Sequence, residues 1–211
     1  SCNPNITWDI VEKNRDKNWN WNEISRNPNI TPDIVEKNRD KNWNWEWLSM
    51  NPNITIDFIE RHLDKNWKWE WLSENSNITV DFIKRHYMKP WDWYWLSHNT
   101  IITWDIIEKY PDFPWDWEGI SRNTNISMDI IEKNPDYPWN WKYISINPNI
   151  TIDFIERYID KICFIGLSKN LFTYQNRLIK INRQYYILWV LKTVKEGMLE
   201  NSNRYIVETY L

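Results

Sequence analysis

The chain repeats itself every 24 residues, and that period constrains its fold more than any other feature. Asn3-Pro4-Asn5-Ile6-Thr7 recurs intact from Asn27, Asn51 and Asn147, and degenerate copies start at Asn75, Asn99 and Asn123. A fixed period of roughly 20–50 residues is the signature of stacked repeat architectures, in which no unit buries its apolar face alone.

One unit reads as two short helices. Asn-Pro-Asn-Ile forms a turn, and Thr7 follows as a helix N-cap whose hydroxyl accepts from a free backbone N–H. Pro32 fits the first helical position, and an Asp at each copy of Asp9 favours the helix dipole. These cues start helix A, which is Trp8-Asp9-Ile10-Val11-Glu12-Lys13 in the first copy. A polar connector follows, edged in later copies by Pro111 and Pro114 or by Pro135 and Pro138. The pattern Trp-x-Trp-x-x-Ile/Leu-Ser predicts helix B from about Trp19 to Arg26, with Trp21 and Ile24 on one face. Asn27-Pro28 ends it, Asn being tolerant of the left-handed conformation that follows many helices.

Isolated helices shorter than ~12–15 residues are marginal in water. Stability is therefore expected from Ile10, Val11, Trp19, Trp21 and Ile24 packing on their equivalents in the next unit. The expected fold is all-α: a solenoid of 24-residue helix-turn-helix repeats over 1–160, starting at 3, 27, 51, 75, 99, 123 and 147. At the N-terminus Ser1-Cys2-Asn3 aligns with Ser25-Arg26-Asn27, so the array is expected to be already running there. After Arg157 the helix B copy loses both Trp and one residue, and 161–211 is expected to be a degenerate repeat and a helical cap.

Composition narrows the partners. Hydrophobic residues make up 42% of the chain, enough for a substantial core. A net charge of -3 argues against nucleic acid as the main partner, because phosphate binding draws on a basic excess. Cys2 and Cys163 are too few for a disulfide framework or a structural zinc site. No apolar run is long enough to span a bilayer.

The words Asn-Pro-Asn-Ile-Thr, Asp-Ile-Ile-Glu-Lys-Asn-Pro-Asp and Pro-Trp-Asp-Trp-x-x-Ile/Leu-Ser resemble a repeat multiplied in proteins of large DNA viruses of amoebae, of the mimivirus and marseillevirus kind. The resemblance covers 1–160. It implies a virion-associated or host-interacting repeat protein, in the host cytoplasm or the virion and not secreted. It brings no catalytic residues.

Most chemistry-bearing residues recur with the repeat, which favours structural roles. Asp9 with Glu12 recurs in every copy, whereas an acid–base pair belongs in one special pocket. His62 and His86 hold equivalent positions but lack further metal ligands. Asn5, Asn29, Asn53, Asn77, Asn125 and Asn149 match the glycosylation pattern because turn and cap repeat together. Ser25 and its equivalents have no His placed to activate them, and a hydroxyl bonded to a helix carbonyl or the neighbouring repeat explains them. No catalytic residue, metal or cofactor is expected.

The regular tryptophans, such as Trp43 and Trp45, are expected in the core, with turn carbonyls accepting from the indole N–H. A third position differs: it holds Glu23, Trp47, Trp71, Trp95, Gly119 and Tyr143. Tolerance of Glu and Gly suggests partial exposure. Trp47, Trp71, Trp95 and Tyr143 are thus candidate binding residues, with Met50, His98 and Tyr94 from the two most variable rows. The expected function is non-enzymatic, a scaffold for a protein partner. The alternative is a carbohydrate- or nucleic-acid-binding array that uses stacked aromatics.

Overall fold

A computed structural model describes residues 3–163 and 165–167. Among these, short helices alternate along the chain. The helix A copies are α1 (Trp8–Lys13), α3 (Pro32–Lys37), α5 (Ile56–Arg61), α7 (Val80–Arg85), α9 (Trp104–Lys109), α11 (Met128–Lys133) and α13 (Ile152–Arg157). The helix B copies are α2 (Trp21–Ser25), α4 (Trp45–Leu48), α6 (Trp69–Leu72), α8 (Trp93–His98), α10 (Trp117–Arg122) and α12 (Trp141–Ile146). None of these helices is long and apolar enough to cross a membrane. The expected helices beyond residue 167 lie outside the described residues. The chain forms two compact units, Ser1–Asn125 and Ile126–Leu211.

Helix A starts where the sequence predicts. Thr31, Thr55, Thr79, Ser127 and Thr151 each accept a capping bond from the backbone three residues on. Thr7 and Thr103 take the same extended conformation without that bond.

Helix B starts two residues later than predicted. The first Trp of each pair lies before the helix, because the residue between the two tryptophans is the N-cap. Asn20, Asn44, Asp92, Asp116 and Asn140 accept from first-turn N–H groups, while Lys68 holds the position without a side-chain bond. The early Trp gains its own fixture. The indole N–H of Trp19, Trp43, Trp67, Trp91, Trp115 and Trp139 donates to the carbonyl five residues back, at the end of helix A.

The core runs through the first unit as repeated contacts. The second Trp of one repeat meets the first Trp of the next edge-on. Trp21–Trp43, Trp45–Trp67, Trp69–Trp91 and Trp93–Trp115 have interplanar angles of 84–86° and centroids 5.0–5.6 Å apart. Such edge-to-face pairs add about 0.5–1.5 kcal/mol beyond their buried area. Helix B also packs on the next helix A: Trp45 stacks on Phe58 and Trp69 on Phe82, and Trp141 stacks on Phe154 within the second unit. Ile10 departs from its expected core role, being 37% exposed, whereas Phe58, Phe82 and Phe154 at the same position are fully buried. Ile34, Ile106 and Ile130 at the same position are half-buried.

The turn asparagines do more than turn. Asn99 and Asn123 have φ of -63° and -66° with extended ψ, so the left-handed conformation is not why Asn is there. The side chain is the reason. Asn51 is fully buried, and its amide donates to the carbonyls of Ser25, Asn27 and Ile30 at 3.0–3.1 Å. Its Oδ1 accepts from Asn53 N–H at 2.9 Å. Asn75, Asn99 and Asn123 repeat this grip on the preceding repeat. The carbonyls of Asn27, Asn51, Asn75 and Asn99 already accept from the backbone N–H three residues on, so the grip gives each a second bond and ties neighbouring turns together.

Serine makes a second tie. Asn44, Lys68, Asp92 and Asp116 donate their backbone N–H to the hydroxyl of the serine 19 residues back. In the second unit Cys163 donates to Ser145 across 18 residues, the spacing left by the single deletion in the last helix B copy.

Candidate functional site

The third position of helix B follows the core-facing Trp by two residues and precedes the core-facing Leu or Ile by one. Residues three apart share a face, so the residue between them is turned away from it. Trp47 on α4, Trp71 on α6 and Trp95 on α8 are accordingly half-buried, while Leu48, Leu72 and Leu96 are fully buried.

These rings form local contacts. Trp47 and Trp71 have centroids 5.3 Å apart with planes tilted by 52°. Arg26 lies over the Trp47 ring, 5.1 Å from its centroid, and pairs with Glu23 at 3.6 Å. Trp95 meets Tyr94 edge-on at 5.1 Å and His98 at 5.9 Å. Arg122 donates to the Tyr94 hydroxyl at 3.0 Å. Met50 is 44% exposed, and with Trp71, Glu74, Ser49 and Pro52 it lines an open groove of about 160 Å³.

The charges here are perturbed by partial burial. Burial, and secondarily the Asp92 carboxylate, push the Glu74 carboxyl above its ordinary value. Burial and then the Arg122 cation lower the His98 imidazole.

Gly119 corrects one inference. Glycine at the third position suggested exposure, yet Gly119 is buried. A Cβ there would lie 2.4 Å from the Tyr94 carbonyl oxygen and 2.9 Å from Ser97 Cβ. Glycine is required because α10 approaches the α8 backbone too closely for a side chain. Tyr143 belongs to the second unit, half-buried, with the Lys142 ammonium 5.8 Å from its ring centroid.

Three contributors were not singled out as site residues from the sequence: Arg26, Glu23 and Glu74. Arg26 and Glu74 belong to the same variable row as Met50 and His98. That a residue of this row faces the aromatic 21 residues further on follows only from how two repeats pack.

The other polar candidates have structural partners. His62 Nε2 lies 2.8 Å from Glu36 Oε1, and its ring packs on Trp45 and Phe58. His86 lies 3.9 Å from Glu60, packs on Trp69 and Phe82, and is lowered chiefly by burial. The helix A glutamates Glu36, Glu60 and Glu132 pair with Arg61, Arg85 and Arg157 of the next repeat. Asn29 and Asn77 use their amide nitrogens on carbonyls of the preceding turn. Ser49 and Ser73 donate to the carbonyls of Trp45 and Trp69. Among the described residues no three His, Cys, Asp or Glu side chains gather into a metal-binding group.

No protein-family model, curated protein or solved structure matches the chain.

Proposed function

We propose that the protein is an α-solenoid and a non-enzymatic scaffold that docks a protein partner along Trp47, Trp71 and Trp95. Tyr94, Met50 and His98 flank this row, and Tyr143 is its equivalent in the second unit. The observation that carries the reading is the half-buried Trp47–Trp71 pair beside the open Met50 groove. Aromatic anchors in desolvated surroundings dominate protein interfaces. The solenoid reading is supported by asparagine and serine bonds that recur at near-constant separations between neighbouring repeats. The 52° tilt at 5.3 Å sets Trp47 and Trp71 against each other, which favours a protein partner over bases entering between parallel rings.

Selection of a displayed random-peptide library on the full chain tests this reading. Peptides retained by the natural chain and lost on Trp71→Ala, with unchanged helical circular dichroism, are expected. Selection that yields only peptides indifferent to Trp71 contradicts it.

A further inference from the structure

The chain places its own cations on its tryptophans repeatedly. Lys65 lies over Trp45, Lys89 over Trp69, and Arg26 over Trp47, with ammonium or guanidinium 5.1–5.7 Å from the ring centroid. Arg26 is the instructive case. It occupies the third-position ring 21 residues on, and Glu23 one turn before it holds its guanidinium. The arrangement is a carboxylate, a guanidinium and an indole face in contact.

The next repeats keep the ring and lose the cation. Met50 and then Glu74 hold the Arg26 position, and both line one groove with Trp71. Among the described residues no cation lies over Trp71 or Trp95, and none pairs with Glu74. At the far end of the row Arg122 donates to the Tyr94 hydroxyl. Arginine from the chain itself is therefore used at both ends, over Trp47 and against Tyr94. The middle instead holds an open groove walled by Met50, Trp71 and Glu74.

Local charge points the same way. Glu74 lines the groove, where burial first and the Asp92 carboxylate second disfavour its ionisation, so a cationic neighbour would favour it. Glu70 neighbours Trp71 in sequence and meets Lys68 at 3.7 Å. A cation entering the groove would meet the Glu74 carboxyl and an indole face together. Arginine suits this better than lysine, because its planar, weakly hydrated guanidinium stacks on rings while donating to a carboxylate.

We infer that the groove walled by Met50, Trp71 and Glu74 takes an arginine side chain of a basic segment of a protein partner, repeating in trans the contact of guanidinium, carboxylate and indole that Arg26, Glu23 and Trp47 make. This rests on the docking reading above and names the chemistry of its partner.

The test titrates the full chain with a short Gly/Ser peptide carrying two arginines, and with its citrulline counterpart, which keeps the shape and removes the charge. Indole ¹H–¹⁵N signals and calorimetry follow binding. The arginine peptide is expected to shift the Trp71 signal, and the citrulline peptide to bind about three- to tenfold more weakly. Glu74→Gln is expected to weaken the arginine peptide by a similar factor. Met50→Arg supplies the groove with a cation of its own, and it is expected to displace the peptide while leaving the fold intact, since Arg26 already stands at the equivalent position. Glu108→Gln, on α9 and outside the row, is expected to change nothing.

Equal binding of arginine and citrulline peptides, or indifference to both Glu74→Gln and Met50→Arg, would overturn the inference. Library peptides that depend on Trp71 but lack arginine would overturn it while leaving the docking reading in place. An absence of any Trp71-dependent peptide would overturn both.

Discussion

The hydroxyl of Ser73 lies 3.0 Å from the backbone nitrogen of Asp92 and 3.0 Å from the carbonyl oxygen of Trp69. It therefore accepts from the next repeat while donating to its own helix. Ser73 is fully buried, so its loss leaves the Asp92 N–H without a partner. Ser73→Ala is expected to cost about 1–3 kcal/mol, the usual penalty for an unsatisfied buried group. Urea unfolding of the full chain measures it, and an unchanged midpoint would mean that the tie contributes nothing.

Asn51 offers a sharper case. Its amide satisfies three carbonyls of the preceding repeat at once. Asn51→Asp keeps the shape but aims carboxylate oxygens at carbonyl oxygens, in a position with no access to water. The Asp variant is expected to be less stable than Asn51→Ala at neutral pH, because a buried unpaired charge costs more than a missing donor. Moving to acid is expected to narrow the gap. Comparison of both melting temperatures at two pH values checks the order.

Gly119 sets two effects against each other. Alanine is favoured over glycine in a helix by about 1 kcal/mol. Against this, the added Cβ would sit 2.4 Å from the Tyr94 carbonyl oxygen, a backbone atom that cannot swing aside. Overpacking of this kind costs about 1–3 kcal/mol, so Gly119→Ala is expected to be destabilising overall. Gly166→Ala meets the Lys142 carbonyl at a looser 3.0 Å and is expected to cost less. Thermal melts of the two variants decide the ranking.

Glu36 ties stability to pH. Its carboxyl is held down to about 2 from an ordinary 4.5, first by the hydrogen bond with the His62 side chain and then by that with Arg39. In the unfolded chain it titrates near the ordinary value. Between the two values the unfolded state binds more protons, so stability falls as pH drops through that window. Above it the contribution is fully present. Glu36→Gln is expected to flatten this part of the stability–pH curve, and an unaltered acid slope would contradict the His62–Glu36 link.

What was legible in the sequence was whatever one repeat decides alone. The Thr cap, the Asp in the first turn and the Ile/Leu of helix B each act within a few residues, and helix A starts where they say. What depended on two repeats meeting was not legible. The Asn51 grip spans 21–26 residues, so the asparagine read as a turn residue when its side chain is the reason for its presence. Arg26 and Trp47 are 21 residues apart and meet only through the packing of neighbouring repeats. Gly119 showed the opposite error, since a small residue marks close backbone approach as readily as exposure. Helix B is shorter than its Trp-x-Trp pattern predicts, because the residue between the two tryptophans is the N-cap and the first Trp lies outside the helix.

The central claim is that the same residue type holds the repeats together at one position and presents a surface at another. Hydrogen exchange at the individual indole N–H groups, followed by NMR on the full chain, tests it most directly. Trp43, Trp67, Trp91 and Trp115 donate to helix-end carbonyls and are expected to exchange slowly. Trp47, Trp71 and Trp95 make no indole hydrogen bond among the described residues and are expected to exchange faster by orders of magnitude. Equal protection of the two groups would contradict the account, because the row would then be interior packing rather than a surface.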